Sequence, residues 1–345
     1  MKLEDYNYHL PAALIAQEPR EERDASRMLI VNRAKRTIEE SIFYELPQYL
    51  AAGDVIVVND SKVIPARLTG RKQTGSAIEV LLLTKNAEDE DSQTWEVLLR
   101  PAKRVRPGDV INFYDVCEGR VLERSSEKKW IIRFSSSVAF DDFLDEYGAA
   151  PLPPYIKRKK AHEKFLTDRE RYQTIYARFP GSVAAPTAGF HFSQNVMASL
   201  RERGVRVAPI TLHVGYGTFL PIETENVEDH RMEDEHFEIS PEAAETVNTA
   251  KRVIAVGTTS TRALESAADE SGNIKPMTAS TRLFIYPGCP FKCVDAMITN
   301  FHLPQSSLYL LVCAFAGKDI MESAYQKAVS GGFKFYSYGD CMLIL

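Results

Sequence analysis

The chain has 345 residues, 44% hydrophobic and 26% charged, an ordinary globular composition that excludes a disordered or fibrous protein. That length strains a single core, so two domains are expected, with one large domain carrying an insertion as the near neighbour. Lys plus Arg is 42 against 47 Asp plus Glu, a formal charge of -5, which excludes an overall basic protein and confines any nucleic-acid surface to local patches.

The longest strongly apolar stretch, Leu308 to Phe315, is far short of the roughly 20 residues of a bilayer span. The Met1 end carries Glu4 and Asp5 instead of a basic start with an apolar core, so a soluble, unexported, cytoplasmic protein is expected. Five cysteines without a pair of CxxC units argue against a disulfide framework or a structural zinc site. Cys289 and Cys293 form a lone CxxxC with no third cysteine two residues on, and read as surface-loop thiols rather than iron-sulfur ligands.

In chain order, Asp54 to Asn59 is a short apolar, β-rich run after Gly53, the pattern of a buried strand that delivers Asn59 and Asp60 to its carboxyl end. From about Leu68 to Phe134 short strands succeed one another: Ile78 to Leu83, Trp95 to Leu99, Val110 to Phe113, Gly119 to Leu122 and Trp130 to Phe134. Gly and charged turns break them and no helical period intervenes, so a small all-β unit inserted in a larger domain is predicted. Beyond Pro151, helices alternate with strands. Ser193 caps a helix to Arg203 that stops at Gly204, before a strand Val205 to Leu212. Ser240 and Pro241 start another, leading to a strand Val253 to Val256. The next helix begins within Thr258 to Thr261; strands follow at Leu283 to Tyr286, Ala296 to Thr299 and Met342 to Leu345, with a buried helix Ser306 to Ala316. The fold class is therefore mixed α/β, with 1–67 and 151–345 forming a large α/β domain and 68–150 an inserted β domain.

There is no GxxxxGK[ST] phosphate loop and no GxGxxG after a strand, which disfavours a kinase or a dinucleotide oxidoreductase. Gly215-Tyr-Gly217 alone marks a tight turn. Val253 to Arg262 says more: a strand turning through Gly257 into a helix start presents backbone N–H groups and hydroxyls to a ligand, or is simply a capped connection. His191, His213 and His302 each lie near a strand end beside Gly or Pro, which admits either hydrogen-bonded structural histidines or a shared site with proton-transfer work. No HxH or HExxH pair points to a metal. Two basic clusters, Arg100 to Arg106 and Lys157 to Lys160, flank the β unit and suit phosphate contacts, whereas the acidic run Glu223 to Glu238 reads as a solvated loop.

The strings Asn59-Asp-Ser-Lys-Val-Ile-Pro-Ala-Arg67, Leu152-Pro-Pro-Tyr-Ile156, Arg171-Tyr-Gln-Thr174, Ala185-Pro-Thr-Ala-Gly-Phe-His191, His213-Val-Gly-Tyr-Gly-Thr-Phe219, Val256-Gly-Thr-Thr-Ser-Thr-Arg262, Thr299-Asn-Phe-His-Leu-Pro304 and Tyr338-Gly-Asp340 occur in one order. Together they closely resemble the S-adenosylmethionine:tRNA ribosyltransferase-isomerase family of queuosine biosynthesis, from Leu10 to Leu345. Two departures stand out: Ser61-Lys62 replaces the family's Thr-Arg, and His230-Arg-Met-Glu-Asp-Glu235 replaces its His-x-Met-His-x-Glu, so the second histidine's role does not carry over to Glu233.

The resemblance implies a large α/β domain with a barrel-like sheet and an inserted small β domain. It implies an enzyme that moves the ribosyl part of S-adenosylmethionine, a consumed co-substrate, onto the aminomethyl group of a 7-deazaguanine in a tRNA anticodon. Epoxyqueuosine forms and adenine and methionine leave. That chemistry needs a base for a C5′ proton, an acid for departing adenine and a neutral attacking amine. His302, His213 and His191, in that order, are the expected catalytic groups, with no prosthetic group and no metal. Thr258, Thr259 and Arg262 are expected at the methionine or ribose end. Asn59, Arg67, Thr187, Gly189, Gly215, Gly217, Thr218, Phe219 and Asn300 complete the substrate-binding set. Lys103, Arg104, Arg106, Lys157, Arg158 and Lys159 are expected to meet tRNA, and the protein to be a monomer with no membrane partner. A non-catalytic tRNA-binding protein and another S-adenosylmethionine-dependent enzyme, a hydrolase or methyltransferase, are the alternatives.

Overall fold

A computed structural model describes residues 1–158, 165–219 and 221–345. Its described residues divide into two compact units, one of Met1–Lys62, Pro153–Arg158 and Gln173–Leu345, the other of Val63–Leu152 and 165–172. The sequence reading put the cuts at 67/68 and 150/151.

The larger unit is built on a nine-stranded sheet in the order Met277–Thr281, Glu235–Ile239, Arg206–Leu212, Asp54–Asn59, Arg252–Val256, Ala296–Asn300, Cys341–Ile344, Arg27–Asn32 and Thr37–Ile42. Asp54–Asn59 is central, parallel to Arg206–Leu212 on one side and to Arg252–Val256 on the other, and the latter is parallel to Ala296–Asn300. A strand covered on both faces needs an apolar middle: all six residues of Asp54–Asn59 are buried, and the four between the polar ends are Val or Ile. Side chains alternate between faces, so the same strands feed two cores. Val55, Val57, Ala255 and Met297 join Ala263 and Leu264 of the helix Gly257–Ala267 on one side. Ile56, Val58, Ile254 and Ile298 join Val196 and Leu200 of the helix Gln194–Glu202 on the other.

The smaller unit carries the closure. Six strands, Lys129–Ser136, Ser92–Arg100, Ala77–Asp89, Arg67–Lys72, Val110–Phe113 and Cys117–Arg124, form a closed barrel, each pairing antiparallel with its neighbours, whereas the large unit holds the nine-stranded sheet. Arg67–Lys72 is a sixth strand beyond the five expected. The unit is not all-β either, because the helix Phe140–Tyr147 packs Phe140 and Phe143 against Trp95, Phe113 and Phe134.

Other differences from the sequence reading have local causes. Leu283 to Tyr286 is not a strand: the Leu283 N–H donates to the Thr281 hydroxyl and its carbonyl accepts from Arg262, so side chains replace a ladder there, and the strand falls at Met277–Thr281. Arg27–Asn32, Thr37–Ile42 and the helix Lys318–Ser330 were not anticipated. Cys293 is buried, not a surface thiol, and burial pushes its pKa up to about 12. Among the described residues no helix is long and apolar enough to cross a membrane.

The double-faced packing predicts the cost of thinning it. Ile56→Ala, at a fully buried central position, should lower unfolding free energy by about 2–5 kcal/mol, whereas Glu39→Ala, exposed on the outermost strand, should stay within about 0.5 kcal/mol. Urea denaturation of both variants measures the contrast.

Candidate active site at the carboxyl ends of the parallel strands

Where a ladder stops, its last backbone groups need other partners. At the end of Asp54–Asn59 the Asn59 carboxamide supplies them: its oxygen accepts the N–H of Leu212 at 3.0 Å and of Ser61 at 3.1 Å, and its nitrogen donates to the Leu212 carbonyl at 2.9 Å. Buried Asp60 accepts two bonds from the Arg178 guanidinium, at 3.0 and 2.7 Å, and one from the Thr211 hydroxyl at 2.7 Å. The Ser182 hydroxyl accepts the Val214 N–H at 3.0 Å and donates to Ser61 at 2.7 Å.

Beyond these ends lies a cavity of about 250 Å³, and six of the anticipated residues line it: Thr187, Thr218, Thr258, Thr259, Asn300 and His302. Gly257 lets the strand Arg252–Val256 pass straight into a helix, through a φ of 87° that a residue with a Cβ rarely adopts. The helix has no side-chain cap, so its first N–H groups remain available, and the Thr259 hydroxyl has no partner among the described residues.

Asn300 is clamped from three segments. Its oxygen accepts from Thr187 at 3.3 Å, and its nitrogen donates to the Tyr336 carbonyl at 3.1 Å and to His191 Nε2 at 3.2 Å. His191 is thus an acceptor at Nε2, a neutral ring with its proton on Nδ1. Burial holds its pKa down to about 4, with nearby Arg20 and Arg23 pushing the same way and Asp340 opposing. His302 sits on the cavity wall with Nε2 2.9 Å from the Thr299 hydroxyl; its N–H donates to the Tyr325 hydroxyl at 3.0 Å and its carbonyl accepts from Tyr8. Burial lowers its pKa to about 3.

A second network stands behind the wall. Buried Glu235 accepts the Gly215 N–H and the Thr218 hydroxyl, both at 3.1 Å, on one oxygen and pairs with Arg262 through the other. Arg262 also donates to the Leu283 carbonyl at 2.8 Å, and its remaining Nη2 is buried without a partner among the described residues.

The chain matches the queuosine biosynthesis protein family over residues 3–344. It belongs to that family. A protein of Syntrophus aciditrophicus named S-adenosylmethionine:tRNA ribosyltransferase-isomerase is 56% identical over 361 residues, with 100% of each chain covered. One of the same name from Desulfitobacterium hafniense is 48% identical over 351 residues, again with 100% of each covered. Among solved structures, the S-adenosylmethionine tRNA ribosyltransferase of Thermotoga maritima is 34% identical with a TM-score of 0.56, covering 99% of this chain and 100% of its own.

Other anticipated residues of this queuosine biosynthesis family member lie off the cavity. His213 stacks on His236, ring centroids 6.3 Å apart, and burial followed by the His236 charge lowers its pKa. Gly189 is packed beside Tyr176 and Thr174, Gly217 beside the Glu233 carboxylate, and Gly215 is held by Glu235. Arg67 belongs to the barrel unit, where it pairs with Glu79 at 2.6 Å and donates to the Leu152 carbonyl at 2.8 Å. Phe219 ends a 3-10 turn, Tyr216–Phe219. Lys103, Arg104 and Arg106 are exposed on the barrel unit; Lys157 is exposed and Arg158 half-buried against Gln17 and Glu18 on the larger unit. Lys159 and Lys160 lie outside the described residues. Of the family departures, Ser61 is buried beneath Ser182 and Lys62 is exposed. The sequence reading overlooked the cavity residues Tyr155 and Tyr336, and Glu235, which it took for part of a solvated acidic run. The alternation in Glu235-His-Phe-Glu-Ile239, buried at every second residue, was the available signal.

The neutral histidines make stability depend on pH. Their folded pKa values lie below the ordinary 6.5, so between about pH 6.5 and 4 the unfolded chain binds more protons and stability falls as pH falls. His191→Gln cannot titrate, and its unfolding free energy should decline less steeply over that window, by up to about 1.4 kcal/mol per pH unit. Urea midpoints at several pH values test this; parallel declines would mean His191 is not held neutral.

Proposed function

We propose that this chain performs the reaction its relatives are named for, as S-adenosylmethionine:tRNA ribosyltransferase-isomerase. It transfers and isomerises the ribosyl moiety of S-adenosylmethionine onto 7-aminomethyl-7-deazaguanine in the tRNA anticodon, giving epoxyqueuosine, adenine and methionine. The observation that carries this reading is likeness to such enzymes over the whole chain, supported by a cavity at the parallel-strand ends with His302 on its wall.

The sulfonium acidifies the C5′ protons and makes methionine a good leaving thioether, so activation comes with the substrate. His302 is the group proposed to take the C5′ proton. Burial keeps its ring unprotonated at neutral pH, so it accepts a proton without first losing one, and the Thr299 hydroxyl fixes its orientation. The uncapped start of the helix Gly257–Ala267, with Thr258 and Thr259, suits the methionine carboxylate. Arg262, tied to Glu235, orders this wall rather than the ligand, and His191 serves by holding Asn300. The deazaguanine, unstacked from the anticodon loop, brings the attacking amine, while Lys103, Arg104, Arg106, Lys157 and Arg158 meet phosphates.

Purified protein given S-adenosylmethionine and tRNA carrying the aminomethyl-deazaguanine should release adenine and methionine together, with a chelator present. S-adenosylhomocysteine would indicate a methyltransferase, and no product a non-catalytic tRNA-binding protein. His302→Ala should lower turnover at least about a hundredfold while leaving tRNA affinity nearly intact. Turnover like that of the parent protein would remove His302 from the base role.

Screening over roughly 8 Å at physiological salt lets local cations outweigh the overall charge of -5. Replacing Arg104 and Arg106 by Gln should weaken tRNA binding and flatten its log-log salt dependence by about 0.7 to 0.9 per lost contact, leaving the KM for S-adenosylmethionine unchanged. An unchanged salt slope would take the barrel cluster out of the tRNA interface.

A further inference from the structure

Tyr336 lines the cavity and has no part in the proton or carboxylate chemistry above. Its backbone is left-handed, at a φ of 73°, where a bulky aromatic residue is an outlier. The surroundings impose this. Its N–H donates to the Phe301 carbonyl and its own carbonyl accepts from Asn300, both at 3.1 Å. Asp340 closes the loop, accepting the Lys334 N–H at 2.7 Å, the Arg27 N–H at 2.9 Å and the Arg20 guanidinium at 2.8 Å. At Gly339 any Cβ would lie 2.5 Å from the Lys334 carbonyl oxygen, so the loop closes only on glycine. Strain over-determined in this way collects at ligand clamps.

The Tyr336 hydroxyl is buried with no partner among the described residues. Buried phenols ordinarily find one, and an orphan in a native fold calls for a function. Burial also raises its pKa, so it remains a neutral donor. The neighbouring Tyr155 ring, centroids 4.0 Å apart and tilted by 40°, differs in this respect: its hydroxyl meets Ser337 at 2.7 Å. Two aromatic rings therefore stand at one cavity wall, and one of them carries a buried hydroxyl without a partner among the described residues. Val214, Leu303 and Leu308 make further wall apolar.

We propose that Tyr336 recognises the adenine of S-adenosylmethionine, donating its hydroxyl hydrogen to a ring nitrogen at the edge of the base while the base lies against the Tyr155 ring. The assignment rests on the ribosyltransferase reading of the cavity and adds a specificity residue to it. Adenine is the flat, uncharged, aromatic part of that substrate and carries three ring-nitrogen acceptors, N1, N3 and N7. A carboxylate finds better company at the uncapped helix start. A neutral phenol in an apolar wall selects a neutral acceptor that brings its own π face.

Tyr336→Phe removes only the orphan hydroxyl, so the two roles it could have move in opposite directions. The thermal midpoint of the ligand-free protein should hold or rise, because an unpaired buried polar group is deleted. The kcat/KM for S-adenosylmethionine, with saturating substrate tRNA, should fall about threefold to tenfold, mainly through KM. The ratio between parent and variant is then measured with the 1-deaza, 3-deaza and 7-deaza analogues of S-adenosylmethionine, and one of the three should abolish the penalty. A penalty of equal size with all three analogues, no penalty with S-adenosylmethionine, or a lowered midpoint would each overturn the proposal. Failure of the parent protein to release adenine would instead overturn the ribosyltransferase reading.

Discussion

Four largely buried strands pair in parallel and in step, and the rest of the larger unit depends on that ladder. Val55 faces Arg206 on one side and Val253 on the other, and Ile254 faces Ala296, so four carboxyl ends reach the same edge of the sheet. The parallel run ends at Cys341–Ile344, which is antiparallel to Ala296–Asn300. Crevices outside the carboxyl ends of such sheets are where ligands bind in open α/β folds, because loops diverge there and helices begin. Here the strand Arg252–Val256 hands its chain directly to a helix start, and Ala296–Asn300 delivers Asn300 and His302.

The polar groups at that edge fall into two kinds. Asn59, Asp60, Ser182 and Asn300 are each hydrogen bonded to segments far away in sequence, and so fix the geometry of the wall. The Thr259 and Tyr336 hydroxyls are not satisfied. A buried pair such as Glu235 and Arg262 adds little net stability, since desolvation offsets attraction, but it joins the loop carrying Thr218 to the helix carrying Thr258 and Thr259. Rigid supports around a few unmet donors are the arrangement expected of a preorganised binding site.

The same low-dielectric setting explains the histidines. Desolvation disfavours imidazolium, so His191 and His302 are neutral while still hydrogen bonded. One holds Asn300 as an acceptor; the other faces the cavity. Similar sequence surroundings, a strand end beside Gly or Pro, gave no hint of this division of labour.

By itself the sequence determined the elements whose causes are local. Ser193 and Ser240 cap their helices as read, each hydroxyl accepting an N–H three residues on, and the apolar runs at 54–59, 253–256 and 296–299 fall in strands. Ordered motifs along the chain were enough to point to the family. Tertiary structure alone decided which of His191, His213 and His302 lines the cavity, that Arg262 is bound to Glu235, that Leu283 is held by side chains instead of a ladder, and that Tyr336 stands beside Tyr155 with its hydroxyl unmet. Capping and periodicity act over three or four residues, within reach of a linear reading. Burial and hydrogen-bond saturation are set by partners such as Asn300 and His191, 109 residues apart, which only the folded chain brings together.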